Sequence, residues 1–220
     1  ERAAQRCRKI VRGLLDFSRP SDYIFQAVDI GAIVGQALNL CESEMNLHKI
    51  LVRWEPGLAL PKVWASENHI EQIFVNILTN ALHAMPEGGL LSIEARLVRP
   101  KAFLSGQPWK ESIAYDRDHV AVSFSDTGLG IDAQNLPHLF DPFFTTKEPG
   151  KGTGLGLSIS YNIAKMHQGE ISAESEGPGK GAVFTVRIPI HKEKEKVGVT
   201  HVPFESLEKK MRDFESRFES

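Results

Sequence analysis

Glycine stands at every second position from Gly150 to Gly156 in the run Gly-Lys-Gly-Thr-Gly-Leu-Gly-Leu157. A second pair, Gly128 and Gly130, follows Asp126 in Asp-Thr-Gly-Leu-Gly-Ile131. With no Cβ at alternate residues, successive backbone N–H groups can turn toward an anion at close range. The later run leads into an apolar, helix-patterned segment, Leu157-Ser-Ile-Ser-Tyr-Asn-Ile-Ala-Lys165. A helix starting there presents unsatisfied donors and partial positive charge, which suits phosphate. Asp126 closes an alternating stretch, Val120-Ala-Val-Ser-Phe-Ser125. A carboxylate at that point can accept a hydrogen bond from an exocyclic amine such as adenine carries, with Gly128 and Gly130 letting a purine lie against backbone.

Upstream, Gln72, Asn76 and Asn80 recur every four residues and so share one helix face, beside apolar Ile73, Ile77 and Leu78. Amides next to a core-facing stripe are unfavourable unless something binds them. An amide oxygen is a hard ligand suited to Mg2+, which keeps waters and takes its remaining ligands from nucleotide phosphates. An isolated pair could instead bond to backbone; ahead of two glycine runs it reads as the metal side of a nucleotide site. A competing pattern exists, since Gly128-Leu-Gly-Ile-Asp-Ala133 matches a dinucleotide fingerprint with alanine in third place. That fingerprint needs a following helix, a second parallel strand and an acid about twenty residues on. Here Pro137 and Asp141-Pro-Phe-Phe144 fill that space. Neither a Walker loop nor the lysine strand of protein kinases is present.

These residues need elements to hold them. Periodicity predicts helices over 1–18, 28–47, 66–84 and 155–166, and strands over 51–54, 90–97, 119–125, 170–174 and 182–190. Residues 98–118 are polar and irregular and read as a surface excursion. This order predicts an α+β fold, a two-layer α/β sandwich with helices on one face of a mixed sheet. In the first helix, Ala3, Cys7, Ile10, Val11, Leu14, Leu15 and Phe17 form an apolar stripe that ends at Ser18-Arg-Pro-Ser21. In the tail, Phe204, Leu207, Met211, Phe214 and Phe218 repeat at three- and four-residue spacing, as in a coiled-coil seam. That helix could pack on its own domain or on the stripe of residues 1–18.

Composition narrows the classes. The 220 residues are 41% hydrophobic and 25% charged, with a net charge of −2, so no nucleic-acid surface is expected. Two cysteines, Cys7 and Cys41, make no disulfide framework, and no Cys/His spacing suits zinc. A cytoplasmic, reducing location is the expectation. No apolar run reaches the roughly 20 residues a membrane span needs; any anchor would lie outside this stretch, which opens inside a helical pattern and reads as part of something longer.

The four blocks together resemble the ATP-binding domain of bacterial sensor histidine kinases, within the gyrase, Hsp90, histidine kinase and MutL superfamily. Gln72–Ala84 resembles the N box, Asp126–Ile131 the first glycine box, Phe140-Asp-Pro-Phe-Phe144 the F box and Gly152–Leu157 the second glycine box. Phe143-Phe-Thr-Thr-Lys147 ahead of the glycines is similar to the nitrogen-regulation type. The resemblance implies a Bergerat-type ATP-binding fold over 22–192, the end of a second dimerisation helix over 1–20, and a linker with an amphipathic helix over 193–220.

It also implies roles. Asn80 would coordinate Mg2+, with Asn76 helping to place metal and phosphates, and these two are the catalytic candidates. Asp126 would hold the adenine amine, with Gly128, Gly130 and Ile131 around the ring. Thr145–Gly156 would form a mobile lid, with Thr146, Lys147, Lys151 and Gly152 near phosphate. Thr153, Gly154, Leu155, Gly156 and Leu157 would start the receiving helix. His83 stands where many relatives carry a basic phosphate contact, which a neutral imidazole would make weaker and pH-sensitive. Ala182 stands where superfamily members often have a threonine bonded to adenine through water. The implied activity is transfer of the γ-phosphoryl group of ATP to a histidine, then to a response-regulator receiver domain. The implied assembly is a homodimer built on the kinase's own dimerisation and phosphoacceptor helices. None of the eight histidines sits in a phosphoacceptor context, so the acceptor is expected outside this stretch. Two alternatives remain at this point: an ATPase clamp of the gyrase or MutL branch, and a nucleotide-binding dimerisation module without chemistry.

Overall fold

The computed structural model describes residues 24–55, 60–99, 117–147 and 152–190. The readings made on residues 1–20, on most of the 98–118 excursion, on Lys151 and on the tail from 193 lie outside these. In chain order the described elements are β1 (Gln26–Val28), α1 (Ile30–Leu47), β2 (Ile50–Glu55), β3 (Val63–Ala65), α2 (Glu67–Ala84), β4 (Gly89–Val98), β5 (His119–Asp126), a 3-10 turn (Leu136–His138), α3 (Gly156–Met166), β6 (Glu170–Glu174) and β7 (Ala182–Pro189).

Five strands form one sheet in the order β2-β4-β5-β7-β6, with β2 parallel to β4 and all other pairs antiparallel. A separate antiparallel pair joins β1 to β3. Strand side chains alternate between faces, and one set, including Leu91, Ile93, Val120, Val122, Phe124, Phe184, Val186 and Ile188, enters a single core with the three helices. The expected mixed, mostly antiparallel sandwich is what forms. In α2, Ile70, Ile73, Phe74, Ile77, Leu78, Ala81 and Leu82 are buried at helical spacing, and the Phe74 ring packs on Phe124 of β5 at 5.3 Å between centroids.

Polar groups fix the helix ends. The Asp29 carboxylate accepts the Gly31 and Ala32 N–H groups at 2.8 and 3.2 Å, capping α1. Glu67 accepts from Gln26 of β1 at 3.2 Å and Gln36 of α1 at 3.1 Å, tying both to the first turn of α2. Buried His167, just past α3, takes the Ser66 N–H on Nε2 at 3.1 Å and donates from Nδ1 to the Ile163 carbonyl at 2.8 Å. These partners require the neutral Nδ1–H tautomer. His69, edge-on to that ring at 5.7 Å, has its pKa lowered by burial from the ordinary 6.5. The unfolded chain therefore binds a proton at His69 that the native state refuses, and stability should decline as pH falls below about 6.5. His69→Gln should flatten that part of the melting-temperature profile; an unchanged slope would remove His69 as its source.

Two details depart from the sequence reading. Residue 28 belongs to a strand rather than to the start of a helix, and β1 and β3 are additional. At three residues each, neither is long enough to show alternation.

Candidate functional site

The site forms where β5 stops. Its inward set runs Val120, Val122, Phe124, so the period of two puts Asp126 on the helix side, level with Leu91 of β4 and Ala182 of β7. The residue is 6% exposed, and burial raises its pKa above the usual 3.8, while backbone N–H groups of Gly128 and Ala182 oppose that rise. The Gly128 bond, to Oδ1, measures 2.9 Å. With these two N–H partners the buried carboxylate still has acceptor capacity, which suits a ligand amine.

The loop after Asp126 is gripped from two sides. Leu129 N–H donates to the Ala84 carbonyl at the end of α2 at 2.9 Å, and a Cβ on Gly128 would stand 2.5 Å from that same oxygen. On the other side Gly130, at φ +71°, lies so close to the Gly177 carbonyl that any Cβ would overlap it. The sequence reading placed a purine against these glycines; the structure adds that protein backbone needs their room. Ile131 is half-buried against the core, and its N–H goes to Ser175 Oγ at 3.0 Å.

From α2, Asn76 donates through Nδ2 to the Gly156 carbonyl and to Ser160 Oγ, both at 3.1 Å. The amide therefore ties α2 to the first turn of α3 and keeps its oxygen as an acceptor. One turn on, Asn80 Oδ1 accepts from the Lys147 ammonium at 3.4 Å, bringing these two predicted residues together. His83 is exposed, its Nδ1 hydrogen-bonded to the Thr79 carbonyl one turn back, which leaves Nε2 outward.

The second glycine run meets the F-box segment. Phe143 N–H donates to the Gly154 carbonyl at 3.0 Å, Gly152 packs on the Thr145 hydroxyl, and Lys147 N–H bonds that hydroxyl at 3.2 Å. Thr146 is exposed. Leu155 N–H reaches Thr153 Oγ1 at 3.4 Å, and Leu157 packs at the core margin. Among the described residues no side chain caps α3, whose first turn holds Gly156 and Leu157, which suits its N–H groups to a ligand. Phe140 anchors the segment on Tyr161 of α3 at 5.7 Å between rings. Among the described residues no group of three His, Cys, Asp or Glu side chains could hold a metal by itself, so a cation here would rest on amide and phosphate oxygens.

Sequence reasoning missed Ser160 and Ser175. Ser160 lies four residues after Gly156 on an apolar helix, a spacing that could have signalled a shared polar partner. Ser175 opens Ser-Glu-Gly-Pro-Gly-Lys-Gly181, where Gly-Pro-Gly signals a turn and nothing marks the serine.

Residues 65–192 match the family described as "Histidine kinase-, DNA gyrase B-, and HSP90-like ATPase". The chain belongs to that family. It is 32% identical over 191 residues to sporulation kinase E of Bacillus subtilis (strain 168), covering 87% of this chain and 23% of that protein. Against sensor histidine kinase ZraS of Escherichia coli (strain K12) it is 32% identical over 188 residues, covering 86% and 36%. Against sensor kinase CckA of Brucella abortus (strain 2308) it is 37% identical over 186 residues, covering 84% and 19%. The chain thus spans about a third or less of these relatives. Among solved structures, the nucleotide-free catalytic domain of histidine kinase ThkA superposes with a TM-score of 0.59 at 28% identity, over 76% of this chain and 97% of that one. Full-length ShkA in complex with AMPPNP gives a TM-score of 0.63 at 26% identity, over 82% and 35%. The fold is that of histidine kinase catalytic domains, and nucleotide binding comes with the family.

Proposed function

We propose that this chain acts as the catalytic domain of a sensor histidine kinase, passing the γ-phosphoryl group of Mg-ATP to a histidine on a helix of the longer protein. The observation that carries the proposal is convergence. A buried carboxylate at the end of β5, the Asn76–Asn80 face of α2 and the uncapped first turn of α3 meet on one side of the sheet. Asp126 takes the adenine amine; the α3 amides and Lys147 hold phosphate; His83 offers Nε2 at the rim. Asn80 Oδ1 already faces an ammonium cation, and a neutral oxygen so placed fits Mg2+ held jointly with nucleotide phosphates. When bound, Mg2+ neutralises phosphate charge. Asn76 holds α3 in place beside it. In the same reading the phosphohistidine feeds a response-regulator receiver domain, a kinase homodimer brings acceptor helix and ATP together, and the domain works in the cytoplasm, with any membrane anchor elsewhere in the protein.

The clamp ATPases of this superfamily carry a general-base glutamate one turn before the metal-binding asparagine. Here that position is Asn76, with both amide protons engaged, so it supplies no base to activate water and steady hydrolysis should be negligible. Calorimetric titration of ATP with and without Mg2+, paired with a hydrolysis assay, tests this. Mg2+-dependent binding with negligible turnover supports the kinase reading, brisk turnover supports the clamp, and absent binding defeats both. Asn80→Ala should weaken ATP binding in Mg2+ by about tenfold or more while binding in EDTA changes little. Equal losses under both conditions would remove Asn80 from the metal.

A further inference from the structure

The turn between β6 and β7 closes the back of the adenine end through one hydroxyl. Ser175 Oγ accepts the Ile131 N–H at 3.0 Å and the Gly177 N–H at 3.3 Å, and donates to the Gly181 carbonyl at 2.6 Å. A serine hydroxyl has one proton to give and two lone pairs to fill, so its capacity is used. Each partner borders the adenine reader. Ile131 ends the loop that begins at Asp126. Gly177 presents the carbonyl against which Gly130 packs. Gly181 lies against the Asp126 backbone carbonyl with no room for a Cβ, and gives its own N–H to the Gly128 carbonyl at 3.1 Å. A fifth bond, from Gly179 N–H to the Leu129 carbonyl at 2.6 Å, lies in the same ladder. Ser175 thus links the far end of the loop, at Ile131, to Gly181, which packs on its start at Asp126.

We propose that Ser175 is a positioning residue for base selection, fixing Asp126 and its loop at the distance where the carboxylate reads an exocyclic amine. The proposal rests on the reading that Asp126 receives the adenine amine. Ser175 itself touches no nucleotide; it acts by denying the loop alternative positions. Its removal frees two N–H groups and a carbonyl and lets Asp126 drift, which weakens a contact that depends on geometry more than it weakens phosphate binding at α3.

The test compares ATP with inosine triphosphate, in which a carbonyl oxygen replaces the amine. Both are titrated by competition against a fluorescent ATP analogue, well below each variant's melting midpoint. Ser175→Ala should lose about tenfold in ATP affinity with affinity for inosine triphosphate unchanged, so the preference narrows by that factor. Amide exchange at Ile131 should quicken in the same variant. Ser175→Thr, which keeps the hydroxyl, should retain the preference. Should the alanine variant fail to fold, Ser175→Cys, of similar shape but a weak hydrogen-bonding group, should shift the preference in the same direction. A lower melting point or faster exchange with an unchanged preference would overturn the proposal and leave Ser175 a structural residue only. Asp126→Asn run alongside separates the two failures. If that variant keeps the preference for ATP, the adenine assignment falls; if it loses the preference and Ser175→Ala does not, only the role of Ser175 falls.

Discussion

Asp126→Asn should reduce ATP affinity by two orders of magnitude or more while the domain stays folded and becomes no less heat-stable. A hydrogen bond to a charged acceptor contributes roughly 1.5–3 kcal/mol, and the asparagine would in addition turn an amine toward the adenine amine, donor against donor. Stability moves the other way. Burial raises the Asp126 pKa above 3.8, so between the unfolded and folded values the native state holds a proton that the unfolded chain has released. Ionising the buried carboxyl therefore costs stability, and the loss grows as pH rises from about 3.8 through the folded value. Asparagine carries no charge and keeps an Oδ1 for the Gly128 N–H. Its melting-point advantage over the parent should be absent in acid, increase through that window and level off above it. A variant that melts lower than the parent at neutral pH would show that the carboxylate stabilises the loop and would undo this account.

Gly181→Ala should be the most damaging single methyl in the described chain. Gly181 has φ +68°, and a Cβ there would overlap the Asp126 carbonyl oxygen. The conformational strain is about 1–2 kcal/mol, and forcing apart two packed strands adds about 1–3 kcal/mol. For a domain of this size, a loss of about 3 kcal/mol lowers the melting point by roughly 10 °C. ATP affinity should fall with it, because the atom displaced belongs to Asp126. Gly179→Ala is the control: its φ is +75°, yet nothing lies within 4 Å of the new methyl, so only the strain remains. Scanning calorimetry of the two variants decides the matter. If Gly181→Ala melts no lower than Gly179→Ala, the contact with Asp126 does not govern that position.

Legibility followed the length scale of the signal. The buried face of α2 was readable because Ile70, Ile73, Phe74 and Ile77 repeat within one element, and Asp126 because an alternating strand ends there in a carboxylate followed by glycines. β1 and β3 left no trace, since three residues carry barely one period, and their order comes from pairing with each other. The hydrogen bonds that set the site carry no local pattern at all. Asn76 meets Ser160 across 84 residues and Ile131 meets Ser175 across 44, and serines are too common for spacing alone to mark them. The glycines were legible as necessary, but the backbone they admit was not, because a missing Cβ looks the same whether ligand or backbone occupies the space.

The bond from Phe143 N–H to the Gly154 carbonyl has a topological consequence. It holds Phe143 beside Gly154, so the entropy of bringing those two residues together is met on folding rather than on ligand capture. For a loop between fixed ends each doubling of length costs only about 0.6 kcal/mol. Chain length between Phe143 and Gly154 is therefore inexpensive to change, while the two anchoring residues keep their places.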